Sequence, residues 1–301
     1  LVALCSPSVL PSVQADFLAR RDSGELSPLI FDTYLAHFQF AVPSTLPTAS
    51  SILLVASPIG RSLIELDTAE GLVEAVIPPT YGAEELQKEN EAILEPILKA
   101  AGCGFARAWL PNKSLAAGCG LGRYGKDNIL RFERLGSYVR LDAWWTELPA
   151  DPSCWGPPQS LERCAGCGAC ARACPNRCIR EDRFTIDASR CLTFMNESSE
   201  PFPPWVDPSA HNAAVGCLRC QDACPENRAS RGREAYRRLP LNRAASEWLI
   251  AGKPAADLPE AERAMAEAVL SAAEMVGAEA KLGRNLRALL AARSSEPRFR
   301  A

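Results

Sequence analysis

Seven cysteines fall in two proline-closed runs, CAGCGACARACP at 164–175 and CLRCQDACP at 217–225, and an eighth, Cys191, lies between them. The first run reads C-x2-C-x2-C-x3-C-P, the spacing that holds a [4Fe–4S] cluster with three cysteines and lends the fourth to a second cluster. The second run, C-x2-C-x3-C-P, is one ligand short, and Cys191 can supply it. Two-residue gaps let a tight loop wrap one cubane, placing three sulfurs on three irons. In the x3-C-P step the chain begins a helical turn, and the proline, with no N–H and a fixed φ, turns the path away from the cluster. Crossed ligand sets follow: Cys164, Cys167, Cys170 and Cys224 for one cluster, and Cys174, Cys191, Cys217 and Cys220 for the other.

Paired CxxC units also suit a four-thiolate zinc site, here Cys164/Cys167 with Cys217/Cys220. Zinc would leave Cys170, Cys174, Cys224 and both prolines without a role. A disulfide scaffold fits less well, because such scaffolds are short secreted chains with even cysteine counts, and this chain has 301 residues and 13 cysteines. Cys5, Cys103, Cys119, Cys154 and Cys178 read as buried small apolar residues, although Cys178 is close enough to the first run to substitute as a ligand.

Composition bounds the class. Hydrophobic residues make up 47%, charged residues 23%, and the net charge is −3, which indicates neither general nucleic-acid affinity nor disorder. No apolar run approaches the roughly 18 residues that span a bilayer, so a cytoplasmic chain with no membrane partner is expected. The start, LVALCSPSVL, has no basic region before it and reads as a buried strand. The chain does not begin with methionine, so an N-terminal stretch and any targeting signal in it can be missing.

The cysteine map suggests where domains divide. An N-terminal α/β domain is expected over 1–150, a double-cluster domain of bacterial ferredoxin type over 151–230, and a helical segment over 231–301. SILLVAS at 51–57 and GLVEAVI at 71–77 read as strands, as do FARAWL and SYVRLDAWWTEL. From Ala83 to Ala101, Leu86, Ile93, Leu94, Ile97 and Leu98 mark the apolar face of an amphipathic helix, with Pro96 weakening its last turn. LPADPSCWGPPQS at 148–160 holds four prolines and reads as a linker. After Cys224, ENRASRGREAYRRLPLNRAASEWLI, LPEAERAMAEAVLSAAEMVGAEA and LGRNLRALLAA read as helices. Arg231, Arg233, Arg237 and Arg238 form either a phosphate-binding cluster or a solvated face paired with glutamates.

AAGCGLGRYGKDN, at 116–128, contains the G-x-G-x-x-G spacing of dinucleotide-binding turns in Gly120, Gly122 and Gly125. That motif requires a strand before and a helix after, and here NKSLAAG looks helical while RYGKDNILRFE runs toward an extended segment. The glycines still expose backbone N–H groups and let a large ligand approach closely, and Lys126 adds a cation. Trp109, Tyr124, Trp144, Trp145 and Trp155 either wall a flat pocket or pack a core. Asp127, Asp142 and Glu147 read as surface or strand-edge charges. His211, six residues before Cys217, is placed either to donate to a cluster sulfur or as a structural histidine. No P-loop, G-x-S-x-G or H-E-x-x-H occurs.

GLGRYGKDNIL, SYVRLDAWWTEL, CAGCGACARACP, RCLTF at 190–194 and GCLRCQDACPEN at 216–227 occur in the order found in epoxyqueuosine reductase and its relatives. Over roughly 50–230 the chain resembles that double-cluster superfamily, most closely a branch carrying IPPTY (Ile77 to Tyr81), a leucine-proline-x-lysine segment (Leu110 to Lys113) and GLGRYG (Gly120 to Gly125). The resemblance implies a corrinoid-binding α/β domain, akin to the reductive dehalogenase core, with a ferredoxin-like domain. It implies two [4Fe–4S] clusters passing electrons from a ferredoxin- or flavodoxin-type donor to cobalamin, and a small-molecule or nucleoside substrate. It assigns Gly120, Gly122, Tyr124, Gly125 and Lys126 to the corrinoid. The reductases carry an aspartate shortly before the glycine-rich motif, whereas FARAWLPNKSLAAGCGLG has no Asp or Glu. Lys113 and Cys119 are the groups left there to give a proton, and no catalytic residue is assigned. Two functions are open: an iron–sulfur reductase, or an electron-transfer module serving a partner protein. Association with nucleic acid is open as well.

Overall fold

The computed structural model describes residues 1–82, 84–231 and 235–295. Among these, nine strands run in chain order: β1 (Val2–Cys5), β2 (Ser51–Pro58), β3 (Ser62–Thr68), β4 (Gly71–Ile77), β5 (Phe105–Arg107), β6 (Arg123–Tyr124), β7 (Leu130–Arg131), β8 (Val139–Thr146) and β9 (Arg237–Leu241). They belong to two compact units, each assembled from separate stretches of chain.

The first unit comprises Leu1–Pro58, Glu84–Gly168 and Ile179–Ser189. Its antiparallel sheet has the order β1-β2-β8-β5. Strand alternation sorts the long apolar run of β2 onto two faces. Ile52 and Leu54 join Trp145, Cys5, Leu10 and Leu115 in one cluster, while Leu53 and Val55 join Trp144 in another. The register sets Leu53 opposite Trp144 and Ile52 opposite Trp145, so the large rings of β8 fill both layers. The N-terminal decapeptide is a strand only to Cys5, because Pro7 and Ser6 start a turn that leads into the helix Leu10–Asp22. In the helix Glu84–Ala100, Leu98 is buried and Leu94 packs on the sheet, but Ile93 and Ile97 remain exposed. Pro96 lies within this helix.

The second unit comprises Ile59–Ala83, Ala169–Cys178 and Arg190–Ala301. Its sheet has the order β4-β3-β9, a hairpin joined by one parallel strand. Ile64, Leu66, Ala75 and Ile77 pack against Leu249, Val269, Leu282 and Leu286 of the helices Arg243–Ala251, Glu260–Ala272 and Glu279–Ser295.

The stretch read as helical after Cys224 therefore contains a strand. In RRLPL, Leu239 and Leu241 are buried while Arg238 and Pro240 face outward, a period of two over five residues. Pro240 is tolerated because β9 lies at the sheet edge. Asn242 then caps the next helix, its side chain accepting from Ala245 N at 2.9 Å. Arg238 pairs with Glu65 at 2.6 Å and Glu74 at 3.0 Å, and Arg237 donates to Gly82 O at 3.2 Å, so both are absorbed by the sheet and its surroundings. Arg233 lies outside the described residues. No described helix is long and apolar enough to cross a membrane.

Candidate functional sites

The glycine-rich segment of the first unit begins at the end of a helix. Asn112–Gly118 is helical, and Gly120 takes the left-handed conformation with φ of 71°. Gly120 N donates to Ala117 O at 3.0 Å and Leu121 N to Ala116 O at 2.9 Å, the paired closure of a Schellman cap. The first glycine of the G-x-G-x-x-G spacing is thus a helix C-cap, which explains its type without a dinucleotide. Gly118 has a different reason: a Cβ there would sit 2.3 Å from the Trp155 ring. Gly122 lies close under the Phe132 ring, and a Cβ on Gly125 would meet Asp127 Oδ1 at 2.8 Å.

Asp127 and Asp142 are both buried, unlike the surface charges the sequence suggests. Asp127 accepts from Arg131 twice, Nη1 to Oδ1 at 3.0 Å and Nη2 to Oδ2 at 2.6 Å, with both side chains almost fully enclosed. Such a pair fixes the β6–β7 hairpin, since removing one partner of a buried ion pair costs about 3–5 kcal/mol. Asp142 accepts from Arg140 Nε at 2.9 Å. Glu147 is held below the usual carboxylate range by Gly104 N–H, at 2.7 Å, and by the Thr48 hydroxyl.

The proline-rich 148–160 stretch is pinned onto this loop rather than left as a tether. Gly156 N donates to Gly118 O at 2.9 Å, Tyr124 N to Gln159 O at 2.8 Å, and Leu161 N to Tyr124 O at 2.9 Å. A cavity of about 410 Å³ lies between the two stretches, lined by Ala117 to Gly120, Gly122, Arg123, Ser153 to Pro157 and Gln159. That volume falls within the range of small-ligand sites. Gly120 and Gly122 reach the lining, while Tyr124 is buried beside it, edge-on to Phe184 at 5.0 Å. Lys126 is half-buried and outside the lining. Of the flanking aromatics, Trp155 walls the cavity, Trp144 and Trp145 are core residues, and Trp109 is exposed.

The lining contains no carboxylate; its thiols are Cys119 and Cys154. The Cys5 thiol is hydrogen-bonded to Cys119 and pulls its pKa down, while that bond and burial push Cys5 up. Lys113 Nζ donates to Asn128 O and Oδ1, both at 2.8 Å, and lies 5.8 Å from the Tyr124 ring centroid. Although Lys113 is exposed as a residue, crowding around its ammonium lowers its pKa to about 8, against the attraction of Asp127.

In the second unit, the helices Ala169–Ala173 and Arg219–Ala223 pack on each other and end at Cys174 and Cys224, each followed by proline. Cys224 is extended, as a residue before proline prefers. Cys191 precedes the helix Leu192–Glu197 and takes a hydrogen bond from the Thr193 backbone. Cys174, Cys191 and Cys217 feel one another's charge. Burial pushes Cys217 up to about 11, opposed by Asn212. Cys191 is lowered to about 7, chiefly by the Cys178 thiol. Of the other set, Cys164 and Cys167 belong to the first unit, and Cys170 and Cys224 to the second. None of the thirteen cysteines is in a disulfide.

These thiols suit clusters better than a lone ion. Among the described residues, no three His, Cys, Asp or Glu side chains form a single-ion site. Zinc would draw four ligands onto one ion, whereas a cubane sets each thiolate on its own iron. Asn212 is a side-chain donor to Cys217: its Nδ2 lies 3.2 Å from Cys217 Sγ while its Oδ1 accepts from Leu218 N at 3.0 Å. Sequence spacing directed attention to its neighbour. His211 is instead buried edge-on to Phe202 at 4.4 Å, its Nδ1 without a partner, and burial lowers its pKa, with Arg284 adding to the effect.

Residues 163–227 match a family described as a 4Fe-4S double cluster binding domain. The epoxyqueuosine reductase of Cyclobacterium marinum is 32% identical over 126 residues, covering 42% of this chain and 39% of that protein. That of Pseudomonas aeruginosa is 31% identical over 154 residues, covering 48% and 41%. The matches thus span about two fifths of these relatives' length. The structure of epoxyqueuosine reductase from Streptococcus thermophilus superposes with a TM-score of 0.63 over 98% of this chain and 78% of that one, at 18% identity. An epoxyqueuosine reductase solved with a modified tRNA-Tyr stem loop gives 0.63 over 96% and 76%, also at 18%. At that identity the likeness is one of fold.

Proposed function

We propose that this chain, an epoxyqueuosine reductase-like double-cluster protein, is an iron–sulfur reductase whose substrate or corrinoid is held at the glycine-lined cavity of the first unit. The observation that carries this reading is that residues 163–227, which hold both cysteine runs and Cys191, match a double-cluster domain. Cys174, Cys191, Cys217 and Cys220 would hold one cluster, and Cys164, Cys167, Cys170 and Cys224 the other. When bound, the clusters supply single electrons and a corrinoid supplies a strongly reducing cobalt centre.

The chain's own residues do the rest. Gly120 has open space where a side chain would stand, and Trp155 lines the same cavity, features that suit a flat group of a ligand. Asn212 orients Cys217 and, as a donor to its sulfur, favours the reduced state. The proton that a reduction consumes has Cys119 as its source, since that thiol lines the cavity and the Cys5 thiol lowers its pKa. A nucleoside-like substrate carried on RNA is the class we favour, because a relative of the same fold was solved with a modified tRNA stem loop. The electron donor would be of ferredoxin or flavodoxin type.

Anaerobic purification with and without added cobalamin tests this. The expected result is about eight irons per chain and one corrinoid per chain, with an absorption change on reduction. Eight irons without affinity for corrinoid or flavin would leave an electron-transfer module. Absence of iron would overturn the cluster assignment.

A further inference from the structure

Cys178 is not needed for either ligand set, yet it is enclosed with two members of one of them. It is 3% exposed, and its Sγ lies 3.2 Å from Cys174 Sγ. Its thiol is also hydrogen-bonded to Cys191. The backbone brings it there by reversing direction after Pro175. Arg177 adopts φ of 51°, its N donates to Cys174 O at 3.2 Å, and Cys178 N reaches Cys174 Sγ at 3.3 Å. A non-glycine residue in the left-handed region carries a cost, so the surrounding contacts must hold it. Asn176 does so from the side, donating to Arg190 O at 2.9 Å and so tying the turn to the residue before Cys191.

We infer that Cys178 is a reserve ligand, able to take the iron of Cys174 when that thiolate is displaced or lost. The inference rests on the cluster reading given above. The exchange is a ligand substitution with no change of oxidation state: the Cys178 S–H releases its proton, its sulfur bonds the iron, and the Cys174 sulfur leaves and takes up a proton. Its reach is adequate, because one rotamer change moves a cysteine sulfur about 3 Å. A merely space-filling cysteine would pack equally well, but it could not rescue a cluster.

The test measures iron per chain and the electron paramagnetic resonance of the anaerobically reduced full chain, for wild type, Cys174→Ala, Cys178→Ala and the double variant. We expect Cys178→Ala to keep about eight irons, Cys174→Ala to keep about eight with one altered signal, and the double variant to fall to about four. A fall to about four in Cys174→Ala alone would overturn the inference while leaving the cluster reading intact, as would loss of a cluster in Cys178→Ala. A wild type without clusters would overturn both. If Cys174→Ala does not fold, Cys174→Ser and Cys174→Ser/Cys178→Ser give the same comparison with side-chain size kept.

Discussion

The glycine-rich cavity of the first unit and the thiol group of the second acquire their geometry by opposite means. Around the cavity, main-chain bonds do the positioning: Gly120 closes a helix, Gly156 bonds Gly118, and Tyr124 is bracketed by Gln159 and Leu161. Around Cys174, Cys191 and Cys217, the proposed site is made of side chains, each of which would lose a proton on binding metal. Burial opposes that loss at Cys217, whose thiol is pushed up to about 11. A site made of backbone is finished when the chain folds, whereas a site made of thiols is completed by what it binds.

The contrast can be broken at either end. The largest effect is expected from Cys217→Ala, which should reduce iron from about eight to about four per chain. Full iron in that variant would show that Cys217 is not a ligand. Gly118→Val places a side chain against the Trp155 ring, where even a Cβ would sit 2.3 Å away. We expect destabilisation of about 1–3 kcal/mol by denaturant unfolding, with lost ligand affinity at the cavity and unchanged iron. Unchanged binding would move the ligand elsewhere.

The smallest effect concerns Lys113. Its pKa is about 8 in the folded chain and ordinary in the unfolded one, so between these values the unfolded state holds more protons. Stability should therefore gain a rising contribution as pH increases above about 8, and Lys113→Met should flatten that rise in pH-dependent unfolding. An identical slope in the variant would assign the rise to another group.

Much of this was legible in the sequence. Strands β2, β4 and β8 follow from apolar runs bounded by glycine and proline, and the segment matched to a double-cluster domain is legible because its cysteine spacing is local. What escaped depends on partners distant in the chain. RRLPL carries only two inward leucines, and nothing within it announces that β3 waits beside it. The 148–160 stretch has a linker's composition, but its Gly156 and Gln159 bond to Gly118 and Tyr124, far earlier in the chain. Asp127 looked like a surface charge because nothing in the local sequence marks Arg131 as a partner buried with it. Asn212 was passed over for His211 because spacing gives proximity to a sulfur and not the direction of a side chain.

The parallel pairing of β9 with β3 also sets a schedule. Glu65 and Arg238, joined across that sheet, are 173 residues apart. At ordinary rates of synthesis the β3–β4 hairpin leaves the ribosome roughly 10–35 s before the strand that completes it. During that interval both cysteine runs emerge, and the edge bearing Leu63, Ile64 and Leu66 has no partner. Closure of the sheet thus follows the emergence of both cysteine runs, and a nascent chain halted before residue 237 would present an open strand edge to its neighbours.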